Sequence, residues 1–180
     1  TGIQGAIICG TGMQSKATLA GGRVVAAIQR VFCGDRHVSK LLDKMAFGAY
    51  NKRVGTPQTA YDWLSRNPDN VKKYMDDPLC GFVFTVNGFR TLFKLIGNLH
   101  DKEALSEMPK SLPVFFIAGE ADPVGNYGES VKKVYQSFQD LGMEKVQLKL
   151  YPEERHEIFN EEARQDIYMD VYRWLLQRIA

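Results

Sequence analysis

The sequence predicts an α/β protein, in which a parallel sheet carries helices on its faces and a long helical stretch separates the first two strands. Two observations predict this class. Three short apolar runs, ended by glycine or proline turns, are typical of strands buried in a parallel sheet. From residue 113 onward, strand and helix patterns alternate, which is the order expected of right-handed crossovers.

The predicted strands are residues 5–9, 114–118 and 146–151. The first is apolar throughout and stops at Gly10, whereas the second lies between Pro113 and Gly119. In the third, Gln147 and Lys149 alternate with apolar residues. This alternation predicts that one face of the third strand is wetter and that the strand lies at an edge of the sheet.

Two amphipathic helices follow the second and third strands. Apolar residues keep helical spacing over residues 131–141 and again over residues 163–179. We expect Asn160 to be the N-cap of the last helix. Glu161 and Glu162 then fall in its first turn, where negative charge is favourable.

The stretch between the first two strands predicts a helical insertion. Helical patterns occur at residues 22–32, 39–49, 71–74 and 89–99, separated by Pro57, Pro68 and Pro78, and no buried strand pattern occurs among them. An all-helical insertion of this kind typically caps the active edge of the sheet. The expected division is therefore a core strand in residues 1–14, a helical cap over 15–108 and the remaining core over 109–180. The many aromatic residues of the 15–108 stretch are equally compatible with a second small helical core.

The composition argues against several classes of function. Lys and Arg number 23 against 21 Asp and Glu, so no basic surface points to nucleic acid. No apolar run approaches the roughly 18 residues of a transmembrane segment. The three cysteines form no CxxC pair or disulfide framework, which favours a cytoplasmic location. The histidines lack metal-ligand spacing and Gly10-Thr11-Gly12 is too short for a phosphate loop, so neither metal nor cofactor is predicted.

Asp122 and His156 are the candidate catalytic residues. Each follows the carboxyl end of a predicted strand, and neighbouring strands lie about 4.8 Å apart. We therefore expect a carboxylate–imidazole hydrogen bond of about 2.6–3.2 Å. Such an Asp fixes the His tautomer and stabilises the imidazolium formed when His accepts a proton from a nucleophile. An Asp in such a turn also often has a purely structural role.

The sequence contains no nucleophile motif to complete this pair. A final helix follows Asp and His, as in Ser-Asp-His hydrolases, but G-x-S-x-G occurs nowhere in the 180 residues. Gly128-Glu129-Ser130 comes closest and lies at the start of a helix, in the wrong place.

Five segments together resemble the α/β hydrolases of the serine aminopeptidase S33 and monoacylglycerol lipase type, many of which are lysophospholipases. They are GAIICGTG (5–12), YDWLSRN (61–67), DDPLCGFVFT (76–85), GEADPVG (119–125) and YPEERHE (151–157). The resemblance spans essentially the whole chain. It implies the C-terminal part of an α/β-hydrolase fold, with Asp122 as the acid and His156 as the base. The nucleophile and oxyanion hole would lie in about a hundred residues upstream of Thr1.

The function implied is hydrolysis of carboxylic esters of lipid-like alcohols, with residues 1–180 alone inactive. Phe82, Phe84 and Phe89 are candidates for the apolar surface that holds an acyl chain. The alternative is a non-catalytic homologue that acts as a binding or scaffold module. The substrate stays open among monoacylglycerol, lysophospholipid, simple ester, thioester and peptide. Expected partners are the upstream segment or a second copy, at the free edge of the first strand.

Four further residues are weaker candidates. His37 and His100 lie in polar segments and are expected to face solvent. Cys80 is a candidate lining residue of an acyl pocket, although a buried, inert thiol explains it equally well. Glu157 lies beside His156 and is a candidate for tuning it, although a charge at a helix start or on the surface is the simpler explanation.

Overall fold

A computed structural model describes residues 2–99 and 101–179; Thr1, His100, Ala180 and the side chain of Ile179 lie outside this description. The strands are β1 (Ala6–Cys9), β2 (Val114–Gly119) and β3 (Val146–Tyr151). The helices are α1 (Lys16–Cys33), α2 (Lys40–Phe47), α3 (Pro68–Asp76), α4 (Val86–Asn98), α5 (Lys102–Ser106), α6 (Glu129–Asp140) and α7 (Arg164–Ile179). Short 3₁₀ turns occupy Tyr50–Arg53 and Ile158–Asn160.

The strands form one parallel sheet in the order β1-β2-β3. Ala6 pairs with Val114, which pairs in turn with Val146. The central strand β2 is buried along its whole length, whereas β3 alternates between exposed and half-buried residues before ending at the buried Tyr151. The predicted fold class and the wetter edge strand are therefore confirmed.

Helices cover both faces of the sheet because successive side chains of β2 point in opposite directions. Phe116 packs edge-on against Phe138 of α6, with ring centroids 5.0 Å apart. Phe115 points to the other face and stacks on Trp174 of α7 at 5.8 Å. Both faces of an apolar strand are thus used, as the continuous apolar run predicted.

The described part of residues 15–108 contains helices and adds no strand to the sheet. Its one β-bridge, between Val38 and Thr85, lies within this helical region. A third apolar cluster, which includes Leu42, Phe89 and Phe93, joins α1, α2 and α4. Some of the aromatic residues, namely Phe47, Phe84, Phe89 and Phe93, therefore do contribute to a second small core, one of the two interpretations left open by the sequence.

Two helix starts differ from the sequence-based expectation. Helix α1 begins at Lys16, well before residue 22, because the Ser15 side chain accepts the Thr18 N–H and caps it. Helix α3 begins at Pro68 itself, before the predicted residue 71, because the missing N–H and fixed φ of proline are tolerated at a first helical position.

The predicted N-cap of the last helix is wrong. Asn160 ends a 3₁₀ turn, and α7 begins only at Arg164. Glu161 is fully buried and turns inward, where its carboxylate accepts hydrogen bonds from distant parts of the chain. These long-range bonds override the local preference of an acidic residue for a helix start.

Candidate active site

Asp122 is positioned by a tight turn directly after β2. Its Oδ1 atom accepts the Val124 N–H at 2.8 Å, and its backbone carbonyl accepts the Tyr127 N–H at 2.8 Å. The side chain is fully buried. Asp122 therefore does have the structural role expected of an Asp in such a turn. This role uses only Oδ1, so Oδ2 is available for another contact.

The second oxygen of Asp122 contacts His156, which lies in the loop after β3. The distance between His156 Nδ1 and Asp122 Oδ2 is 2.9 Å, so the predicted hydrogen bond is present. The His156 side chain is 30% exposed whereas that of Asp122 is 0% exposed. Since Nδ1 is engaged with Asp122, Nε2 is the ring nitrogen left to exchange a proton with a substrate or nucleophile.

The surroundings of His156 favour its protonated form overall. Burial of the ring is the largest single influence and lowers the pKa. The hydrogen bond that Nδ1–H donates to Asp122, the charge of Asp122 and the charge of Glu157 act in the opposite direction, and together they raise the pKa above its ordinary value. Glu157 thus contributes to the electrostatics of the ring, as its position beside His156 suggested.

Gly10 and Trp63 enclose the pair, and sequence reasoning did not identify either as part of the site. Gly10 follows β1 with φ +62°, and a Cβ atom there would lie 3.2 Å from His156 Cε1. The Trp63 ring lies 5.4 Å from the His156 ring, at an interplanar angle of 45°. Gly10 had a detectable signal, because a glycine directly after a buried strand often marks a close approach.

Cys9 and Tyr50 also experience the charge of Asp122. Desolvation of the Cys9 thiol, followed by the charge of Asp122, raises its pKa to about 11. The same two causes, in the same order, raise the pKa of Tyr50. A raised pKa disfavours the thiolate, so nothing here indicates Cys9 as a nucleophile, although the residue is exposed at the end of β1.

The three phenylalanine candidates occupy different positions. Phe82 is 63% exposed, and Phe84 is half-buried. Both line a cavity of about 230 Å³ that also includes Trp63, the ring that contacts His156. Phe89 is 0% exposed and packs against Phe84 from the core of the helical region, so it supports the cavity wall rather than forming its surface.

The weaker candidates lie outside this cluster. His37 is exposed, Cys80 is half-buried and does not line the aromatic cavity, and His100 lies outside the described residues. Within residues 2–99 and 101–179, no cluster of three or more potential ligands is arranged to hold a metal ion. In that same part of the chain, none of the helices combines the length and apolarity needed to cross a bilayer.

Comparison with known proteins places the fold and the family. The sequence profile of the family described as serine aminopeptidase, S33 (Hydrolase_4), matches residues 1–163. A thermostable carboxyl esterase from Bacillus coagulans, solved with glycerol, is 27% identical with a TM-score of 0.85; the match covers 100% of this chain and 58% of that one. A monoacylglycerol lipase from Paleococcus ferrophilus is 18% identical with a TM-score of 0.66, over 98% of this chain and 60% of that one.

A third solved structure, the soluble variant of monoglyceride lipase from Saccharomyces cerevisiae with a substrate analogue, has a TM-score of 0.65 at 16% identity. That match covers 98% of this chain and 54% of the yeast protein. The chain thus spans between half and two thirds of the length of these structures. Its parallel sheet and flanking helices match part of an α/β-hydrolase fold. The chain belongs to the serine aminopeptidase S33 family.

Proposed function

We propose that this chain supplies the acid and the base of a serine hydrolase that acts on carboxylic esters. The observation that carries the proposal is the 2.9 Å contact between Asp122 Oδ2 and His156 Nδ1, beyond the carboxyl ends of two adjacent strands. Membership of the S33 family and the similarity to a carboxyl esterase support the same reaction. The serine lies upstream of Thr1 in this proposal.

In the proposed reaction, the serine hydroxyl attacks the acyl carbon while Nε2 of His156 accepts its proton. Asp122 holds the Nδ1–H and stabilises the resulting imidazolium. His156 then gives the proton to the departing alcohol, which leaves an acyl-serine. Water attacks this ester with His156 again as the base, and the carboxylic acid and free serine are released.

The proposed substrate is a lipid-like ester, such as a monoacylglycerol or a lysophospholipid. The cavity lined by Phe82 and Phe84 offers an apolar surface for an acyl chain. Trp63 lines the same cavity and contacts the His156 ring, so a chain held there would have its ester group near the imidazole.

The test is hydrolysis of p-nitrophenyl esters of increasing acyl length by the purified full-length protein. His156→Ala is expected to abolish turnover, and the exposed His37→Ala serves as its matched control. Equal activity in the His156→Ala and His37→Ala variants would refute the assignment of the base. Absence of turnover in the unmodified protein would favour a binding or scaffold module.

Two further points belong to this proposal. Residues 1–180 by themselves are expected to hydrolyse no ester, because none of their serines stands in the G-x-S-x-G pattern. Cysteine usage favours action in the cytoplasm, a reducing compartment. Turnover by purified residues 1–180 that disappears on His156→Ala would place the nucleophile within this chain instead.

A further inference from the structure

Glu161 joins two distant parts of the chain through a fully buried carboxylate. Its Oε2 atom accepts the Ser65 hydroxyl at 2.9 Å, and its Oε1 atom accepts the Arg66 N–H at 2.9 Å and the Arg155 N–H at 3.1 Å. Side-chain exposure at Glu161 is 0%. A carboxylate only accepts hydrogen bonds, so its two oxygens suit these three donors.

Residues 62–66 and the loop that carries His156 are also joined by hydrogen bonds from the residues on either side of His156. The Arg155 guanidinium donates to the carbonyl oxygens of Asp62 at 2.6 Å and Ser65 at 3.0 Å. The Glu157 N–H donates to the carbonyl oxygen of Leu64 at 2.8 Å. The residue before His156 and the residue after it are therefore both attached to residues 62–66 of the helical region.

This attachment determines what packs on the imidazole. Trp63 lies inside the attached segment, and its ring sits 5.4 Å from the His156 ring. The carboxylate of Glu161 binds groups of residues 65, 66 and 155 rather than the imidazole itself. Any effect of Glu161 on His156 must accordingly act through the position of the loop and of the Trp63 ring.

We propose that Glu161 is a positioning residue of the candidate active site, which keeps the Trp63 ring packed against His156. The indole limits rotation of the imidazole, so Nδ1 stays on Asp122 and Nε2 stays aligned for proton transfer. Small displacements of a positioned group reduce rates strongly. The catalytic consequence rests on the function proposed above, whereas the contact itself can be measured without substrate.

The experiment uses the fluorescence of Trp63, which a neighbouring protonated imidazole quenches. The emission of the purified protein is measured from about pH 5 to about pH 9. The pH-dependent change that is present in the unmodified protein and absent in His156→Ala reports the Trp63–His156 contact. Glu161→Ala is expected to lose most of this change, because three donors lose their acceptor. Glu161→Gln keeps an acceptor oxygen and should therefore retain the His156-dependent part of the emission. The exposed control Glu162→Ala should retain it as well.

A Glu161→Ala variant with native circular dichroism and an unchanged His156-dependent signal would overturn the proposal. If Glu161→Ala does not fold, Ser65→Ala decides, since it removes one bond to the carboxylate together with the acceptor of the Asn67 N–H and leaves the Arg66 and Arg155 bonds in place. Ser65→Ala should weaken the signal, and an unchanged signal in it would also refute the role.

Kinetics of the full-length protein provide a second readout. With a short p-nitrophenyl ester, Glu161→Ala is expected to lower kcat roughly tenfold while KM changes by less than about twofold. A rise in KM at constant kcat would show a substrate contact instead of a positioning role. If the protein hydrolyses no ester, the proposed function fails while the fluorescence result stands on its own.

Discussion

Asp122 divides its two carboxylate oxygens between the turn after β2 and the His156 ring. In Asp122→Asn, an amide oxygen in the place of Oδ1 can still accept the Val124 N–H. The amide NH₂ then faces Nδ1 and favours the tautomer that carries its proton on Nε2, which cannot act as a base. We expect kcat to fall about 10³- to 10⁴-fold in ester hydrolysis by the full-length protein. A folded Asp122→Asn variant with near-normal kcat would contradict this role.

The raised pKa of His156 predicts the direction of two pH dependences. Only neutral imidazole accepts a proton, so kcat/KM should rise with pH through the folded-state pKa, at a midpoint above the ordinary 6.5. Because the pKa of His156 is higher in the folded state than in the unfolded state, protonation of His156 stabilises the fold. This contribution is fully present at pH values below the unfolded-state pKa. This contribution is lost as pH rises through the folded value, so His156 stabilises the fold least where it is most active.

Both dependences can be measured on the same protein. A pH–rate profile gives the first, and urea denaturation below and above the folded pKa gives the second, with His156→Gln as the reference that lacks the titration. A rate midpoint at or below 6.5 would contradict the predicted direction.

Sequence reasoning found Asp122 and His156 because each follows a recognisable strand, and strand ends of a parallel sheet meet at one edge. Trp63 and Glu161 carry no such signal. Glu161 binds Ser65, which lies 96 residues away along the chain, and nothing in local periodicity indicates that partner. An acidic residue near a helix start has a simpler local explanation, and that explanation led to the wrong N-cap.

At the scale of elements, the end of β2 is in close contact with the His156 loop. A Cβ atom at Gly119 would overlap the carbonyl oxygens of Glu154 and Arg155. Gly119→Ala should therefore lower the free energy of unfolding by about 1–3 kcal/mol, measured by urea denaturation, and displace the loop. Gly21→Ala is the matched control, since nothing lies within 4 Å of its Cβ position in α1 and alanine favours helix. Equal stabilities for the two variants would contradict the close packing.

The segment before α4 gives a prediction about substrate preference. Phe84 lines the aromatic cavity, so Phe84→Ala should remove apolar contact from a long acyl chain and little from a short one. We expect the ratio of kcat/KM for octanoyl over acetyl p-nitrophenyl esters to fall roughly tenfold. Phe32→Ala, at a position that is 82% exposed, should leave the ratio unchanged. An unaltered ratio in Phe84→Ala would exclude this cavity as the acyl site.

The strands were easier to predict than the helices around them. Runs buried on both faces are apolar without interruption, and β3 matches its predicted bounds, Val146–Tyr151. Helix α5 (Lys102–Ser106) escaped detection because it is short and has no buried residue. Its N-cap Asp101, whose side chain accepts the Glu103 and Ala104 N–H groups, was the available signal.

At the scale of the whole molecule, β1 has one partner strand in the described part of the chain, β2. Its other edge presents backbone donors and acceptors, which tend to recruit further strands. We predict that purified residues 1–180 self-associate unless another segment covers this edge. Light scattering with size-exclusion chromatography measures the mass, and a stable, monodisperse monomer would contradict the prediction.

The fold class was accessible from the order of strand and helix patterns, whereas the residues through which the helical region contacts the sheet were not. Its contact with the His156 loop depends on residues 62–66, which form neither helix nor strand. Irregular segments have no periodicity from which a contact can be inferred.

The separation of β1 from β2 by residues 10–113 has a consequence for the order of folding. Strands β2 and β3 are joined through α6 alone, so their pairing closes a short loop, and the Asp122–His156 contact spans only 34 residues. Pairing of β1 with β2 must close a much longer loop and loses more chain entropy. The acid and the base can thus be assembled as a local unit, with Gly10 reaching the imidazole when β1 docks last.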